Sequence, residues 1–258
     1  MGDGKALTHG YRTLQEWNQW LTQEILGRQL LQAEQEVSSA ILNKFLGKHG
    51  LTVGVPHQAN LLQSTTIPCQ TLISPLVLHE KVKNYIESDF HDLPIATGSI
   101  DIVLLPHSLE FTDKPRKLLA DACRIVKPEG LIVIYGFNPY SIWGLKKAFA
   151  KPQSIPWSAN FLHAHKVKSW LHLSDFALEQ EKAMMFLPPI NYENFYQKFH
   201  FIETTARKYL PFLGGVYILV ARAKIIPLTP IRLRWKQRFS GIHISPTTGY
   251  MRPRVINF

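Results

Sequence analysis

The stretch from Ser88 to Tyr140 constrains the fold more than any other part of the chain. Ser88-Asp89-Phe90 runs into His91-Asp92-Leu93-Pro94 and the turn residues Ala96-Thr97-Gly98-Ser99. Ile100 to Leu105 is then a short apolar run of strand length, closed by Pro106-His107. A helix follows: Asp113 is placed to cap it, Pro115 sits in its first turn, and Leu118, Leu119, Ala122, Cys123 and Val126 share one face. Lys127-Pro128-Glu129-Gly130 ends that helix, and Leu131 to Tyr135 reads as the next buried strand. A strand, a helix and a second strand at this spacing predict a right-handed crossover in a parallel sheet.

The same residues resemble a family. Leu-Pro after an acid-bearing strand end, then Ser-Ile-Asp-Ile-Val, then Arg124 to Gly130 is similar to class I S-adenosylmethionine (SAM)-dependent methyltransferases of the type 11 group. The resemblance is dense from about residue 85 to 137. The runs Leu104–Phe111, Gly136–Leu145 and Gly214–Lys224 are similar to a bacterial subgroup of such methyltransferases. It implies an α/β, Rossmann-like mixed sheet of seven strands, ordered 3-2-1-4-5-7-6, with helices on both faces and the last strand antiparallel. It also implies SAM as cofactor and a methyl acceptor as substrate.

Across the whole chain, 258 residues suit one large α/β domain with decorations, and 45% hydrophobic residues supply a sizeable core. No apolar run approaches the ~18 residues of a membrane helix. The first thirty residues do not read as a secretory leader. Cys69 and Cys123 match no metal spacing, so a cytoplasmic protein with two reduced thiols and no metal site is expected. The domain reading is a helical cap over 1–46, a methyltransferase-like domain over 47–225 with a helical insertion at about 188–213, and a basic, mostly irregular tail over 226–258. No Asp or Glu follows Glu203, and the ten Lys and Arg beyond it match the whole formal excess of +10. A tail of that kind suits an anionic partner, whether RNA, lipid or an acidic protein, and is expected to be dispensable for folding.

Residues 11–46 read as helix from Leu14, Trp17, Leu21 and Ile25, continuing with Val37, Ile41 and Phe45. In the family such helices close over the cofactor; plain cover for one sheet face is the other reading. Leu51 to Val55 reads as the first strand and its exit. The resemblance implies a Gly-rich turn there, bending under the cofactor, but only Gly54 is present, followed by Val55-Pro56. At the end of the second strand, where the family places a ribose-binding acid, the chain has Ser74-Pro75. Asp89 matches the family's adenine-binding acid, with Phe90 supplying the next backbone N–H. Taken together, the resemblance implies cofactor contacts at Val53, Gly54, Ser74, Asp89, Phe90 and Pro106.

His107 leaves the carboxyl end of the fourth strand, where ligands of open parallel sheets bind. A neutral imidazole there is a candidate catalytic base for a substrate hydroxyl or amine. Phe137-Asn138-Pro139-Tyr140 reads as a turn bordering the pocket. Trp143, Trp157 and Phe161 suit either an acceptor wall or core packing, and His163 and His165 read as exposed helix-entry residues. Three functions remain open on this reading. The first is a SAM-dependent methyltransferase of unidentified acceptor. The second is a catalytically silent relative that keeps the fold as a binding module for protein or nucleic acid. The third is an RNA-modifying enzyme, suggested only by the tail. Because Ser74 and Val55-Pro56 depart from the family, SAM affinity is expected to be weak.

Overall fold

The computed structural model describes residues 3–63, 65–77, 84–151, 154–191, 209–224 and Gly249, with side chains described from residue 10. Compact packing divides the chain at Ile226. The basic tail and most of the expected insertion, residues 192–208, lie outside the described residues.

Helices α1 (Asp3–Gln23) and α2 (Ile25–Leu42) precede β1 (His49–Val53). β2 (Cys69–Ser74), β3 (Tyr85–Glu87) and β4 (Ile100–Pro106) follow. Helix α3 (Pro115–Ile125) leads into β5 (Val126–Phe137), and α4 (Ile142–Phe149) and α5 (Ala164–Leu173) come next. The chain then forms β6 (Phe176–Met184) and β7 (Val216–Ala223). The strands form one sheet in the order β3-β2-β1-β4-β5-β7-β6, as the resemblance implied. β1 to β5 pair in parallel, and β7 runs antiparallel to both β5 and β6.

Burial explains the order. The apolar runs are most continuous in the central strands: Val103, Leu104 and Leu105 of β4 and Ile132, Val133 and Ile134 of β5 are all essentially inaccessible, as expected where helices cover both faces. The edge strand β6 instead carries exposed Glu179, Gln180, Glu181 and Lys182, which discourage a further strand from pairing there. Asp101 staples three strands at their amino ends. Its carboxylate accepts from the backbone N–H groups of Lys48 and His49 and from Lys127 Nζ at 2.9 Å. Arg124 reaches back over the turn before β4, donating to the carbonyls of Leu93 and Ile95 and to Thr97 Oγ1.

Two local expectations are corrected, and one open reading is decided. The amino-terminal helix is two helices, broken at Glu24, whose backbone is extended (φ −87°, ψ 142°). Gly27 permits the turn, because a Cβ there would meet Trp20 O at 2.2 Å. Asp113 caps nothing: the residue before α3 is Lys114, and the Asp113 carboxylate pairs with His91 Nε2 at 2.8 Å instead. Trp143, Trp157 and Phe161 are core residues rather than a wall. Phe137 stacks on Trp143 and Phe161, with centroids 5.6 and 4.8 Å away.

The turn entering α4 supplies a test of this packing. Ser141 caps the helix by accepting from Gly144 N, and a Cβ on Gly144 would meet the Pro139 carbonyl oxygen at 1.9 Å. Gly144→Ala must therefore displace α4 from the turn that carries Pro139, and a urea titration is expected to show a loss of about 1–3 kcal/mol.

Candidate active site at the carboxyl ends of the strands

The parallel strands end together, and their exits converge beneath α1. β1 ends at Val53, followed by Gly54 and a 3-10 turn over Pro56–Leu62. Gly54 faces no open cradle. A Cβ there would meet Gln58 Oε1 at 2.5 Å, because the Gln58 side chain folds back to accept from Val55 N. Gln58 is fully buried, and its Nε2 has no partner among the described residues. The turn thus places a buried amide donor beside the β1 exit where the family carries glycines. Pro106, at the end of β4, flanks the same glycine at 3.3 Å from that Cβ position.

At the end of β2, Ser74 is also fully buried, and its hydroxyl accepts from Leu76 N at 3.3 Å. Beyond β3, Phe90 is buried while Asp89 keeps about half its side chain exposed. Asp89 lies 2.9 Å from His91 Nδ1, and His91 in turn meets Asp113. The bond to Asp89, with the charges of both carboxylates, raises the His91 pKa above its ordinary value against a partial burial that lowers it.

Helix α1 covers these exits at three points. The Trp17 ring meets His107 edge-on at 5.5 Å and Phe111 at 5.0 Å. Asn18 Oδ1 accepts from His57 N, and Tyr11 Oη accepts from Val77 N at the end of β2. These contacts seat α1 over the exits of the strands.

His107 is corrected from its expected role. It is wholly buried, in a left-handed backbone conformation (φ 57°), with both ring nitrogens committed: Nε2 to Glu34 Oε1 at 2.7 Å and Nδ1 to Glu110 Oε2 at 2.8 Å. Glu110 Oε1 accepts from Phe137 N at 2.6 Å, which ties the pair to the end of β5. Burial alone pushes the His107 pKa down, but the charge of Glu34 and the bonds to both carboxylates outweigh it and hold the ring at about 9. Burial raises the Glu110 carboxyl, only partly opposed by its bond to His107. A ring that donates from both nitrogens has no lone pair to accept a substrate proton. His107 is a positioning residue that locks α2 to the exits of β4 and β5, and not a general base.

Glu34 is the residue that sequence reasoning missed. It lies on the buried row of α2 with Leu30, Ser38 and Ile41, so an ionisable side chain spaced into an apolar stripe was the available signal. Ser38 on the same row bonds Tyr135 Oη at 2.6 Å. Asn138 holds the turn after β5, donating from Nδ2 to the carbonyls of Phe212 and Gly214. Beside this turn, α2 and strands β6 and β7 enclose a cavity of about 1180 Å³, which Tyr140, His163 and His165 also line. Among the described residues no cluster of three His, Cys, Asp or Glu suits a metal ion, and no helix is long and apolar enough to cross a membrane.

Comparison with known proteins agrees with this architecture. A family profile described as "Methyltransferase domain" matches residues 70–134, from β2 into β5. The uncharacterized protein YafS of Escherichia coli (strain K12) is 30% identical over 145 residues, covering 56% of this chain and 57% of that protein. A malonyl-[acyl-carrier protein] O-methyltransferase of Laribacter hongkongensis is 28% identical over 90 residues, covering 35% of this chain and 30% of that protein. The chain thus matches little more than half the length of the first of these relatives and less than a third of the second. A SAM-dependent methyltransferase from Thermotoga maritima shares the fold with a TM-score of 0.60 at 16% identity, over 84% of this chain and all of that one.

Proposed function

We propose, for a chain of the class I SAM-dependent methyltransferase type, that it binds SAM across the exits of β1 to β4 and transfers a methyl group to an acceptor. The observation that carries this reading is that a half-exposed Asp89 and a buried Phe90 follow β3, while Gln58 Nε2, without a partner among the described residues, is buried beside the exit of β1. On this reading each end of the cofactor would meet a group of the chain. Asp89 supplies an acceptor for the adenine amino group, with Phe90 N donating to the ring. Val53, Gly54 and Pro106 border the methionine end, where Gln58 Nε2 offers a donor to its carboxylate. In the middle Ser74 offers only a hydroxyl that already accepts from Leu76, so the ribose lacks a charge-assisted bond.

When bound, SAM supplies an electrophilic methyl group on a sulfonium. The chain's part is to orient and exclude water, and alignment accounts for most of the catalysis in such a displacement. His91, clamped between Asp89 and Asp113, fixes the carboxylate that meets the adenine. Trp17 and α1 cover the site, and the Glu34–His107–Glu110 bridge sets the height of α2 above β4 and β5.

Calorimetry with SAM and S-adenosylhomocysteine tests the reading, and a silent result with both compounds overturns it. Asp89→Ala is expected to weaken binding by about 1.5–3 kcal/mol, roughly one to two decades, because it removes a charged acceptor. An unchanged dissociation constant in that variant would place the adenine elsewhere.

A further inference from the structure

The strand beside Ser74 carries the carboxylate that Ser74 lacks. β2 and β3 pair in parallel, with Leu72 opposite Tyr85, Ile73 opposite Ile86 and Ser74 opposite Glu87. Partners across such a ladder share a face, so the Glu87 side chain stands next to that of Ser74. The pairing holds to the strand ends, where Ser88 N donates to the Ser74 carbonyl at 3.1 Å. Ser74 is wholly inaccessible, whereas Glu87 is exposed. Of the two, only the glutamate is open to a ligand lying across the exits.

The surroundings of Glu87 mark the same spot. Tyr85 Oη donates to the carbonyls of Ser74 and Leu76, and Tyr11 Oη of α1 accepts from Val77 N. Burial raises the Tyr85 phenol above its ordinary pKa, and the charge of Glu87 together with Tyr11 raises it further. The carboxylate therefore acts on the end of β2. The other carboxylates after β3 and before α3 already have side-chain partners: Asp89 and Asp113 meet His91, and Asp92 meets Lys117. Among the described residues no hydrogen bond or ion pair reaches the Glu87 carboxylate.

We propose that Glu87 holds the 2′ and 3′ hydroxyls of the cofactor's ribose from β3, in place of an acid at the end of β2. The assignment rests on the SAM-binding reading. A ribose diol presents two O–H donors side by side, and an ionised carboxylate offers two acceptor oxygens and no donor. Its bonds are charge-assisted and roughly twice as strong as the single neutral bond of a serine hydroxyl. Neighbouring strands lie about 4.8 Å apart, and the longer glutamate arm makes up part of that step. Discrimination between a ribonucleoside and its deoxy analogue then depends on Glu87 and not on Ser74.

Titration calorimetry of the full chain with S-adenosylhomocysteine tests the assignment. Glu87→Gln keeps the shape and removes the charge, and is expected to weaken binding about tenfold; Glu87→Ala is expected to weaken it about tenfold to a hundredfold. Both variants should melt at the wild-type temperature, since the side chain is exposed. Wild-type affinity in both overturns the proposal. Displacement of bound S-adenosylhomocysteine by adenosine and by 2′,3′-dideoxyadenosine gives a readout that a structural role would not move. Wild type is expected to prefer adenosine by about tenfold or more, and Glu87→Ala to lose that preference. A variant that binds S-adenosylhomocysteine more weakly yet keeps the preference also overturns the proposal, because another group would then hold the hydroxyls. The two readings fail in different ways. Wild type that binds neither SAM nor S-adenosylhomocysteine sinks the cofactor reading and the role of Glu87 together, whereas wild-type binding that Glu87→Ala leaves intact removes only the role of Glu87.

Discussion

His107→Ala is expected to cost about 3–5 kcal/mol of folding stability, because it leaves the Glu34 and Glu110 carboxylates buried without the cation between them. The pH dependence separates this from a simple loss of packing. The folded-state pKa of His107 is raised to about 9 from an ordinary 6.5, so its contribution is fully present below about 6.5 and is lost as pH climbs through about 9. The raised Glu110 carboxyl works in the same direction, since the folded chain again holds a proton more tightly than the unfolded one. Urea unfolding of wild type between pH 6 and 10 is thus expected to show stability falling by roughly 3 kcal/mol, and His107→Gln is expected to flatten the slope. A wild-type stability that holds level or rises over that range would mean the bridge is not an imidazolium between two carboxylates.

Trp17→Ala is expected to have a comparable effect, about 3–5 kcal/mol, by a different route. Trp17 is almost wholly inaccessible, stacked on Trp20 at 5.2 Å and packed against His107, Phe111 and Phe137. Through His107 and Phe111 it packs α1 against the exit of β4. Its removal should therefore speed amide hydrogen exchange in α1 well before it melts the sheet, whereas Trp17→Phe should restore most of the protection. Uniform loss of protection throughout the sheet, with α1 no worse than β4, would show that α1 is not a separable cover. Because Trp17 touches His107, the two substitutions are expected to be non-additive when combined.

The central sheet was legible in the chain because its signals are local. Continuous apolar runs at Ile100–Leu105 and Leu131–Tyr135, joined by one amphipathic helix, admit little except a parallel crossover. The places of Val53 and Gly54, Ser74 and Pro106 at strand ends were legible in the short apolar runs before them, and Asp89 and Phe90 were singled out by the family resemblance. What those side chains do there was not. Asp113 has the sequence position of a helix cap, but a histidine 22 residues earlier, brought close by the fold, claims its carboxylate. Gly54 looks like a remnant of an open turn until Gln58 folds into it.

His107 shows most plainly where local reading stops. Its place after β4 could be read from the sequence, because strand length and Pro106 mark the exit. Its charge could not, because Glu34 is 73 residues away on a helix whose height and rotation are set by packing against β4 and β5. Hydrophobic periodicity records which face of an element is buried. Whether a buried ring is a base or a structural cation depends on which carboxylates meet its two nitrogens, and that only the tertiary structure decides.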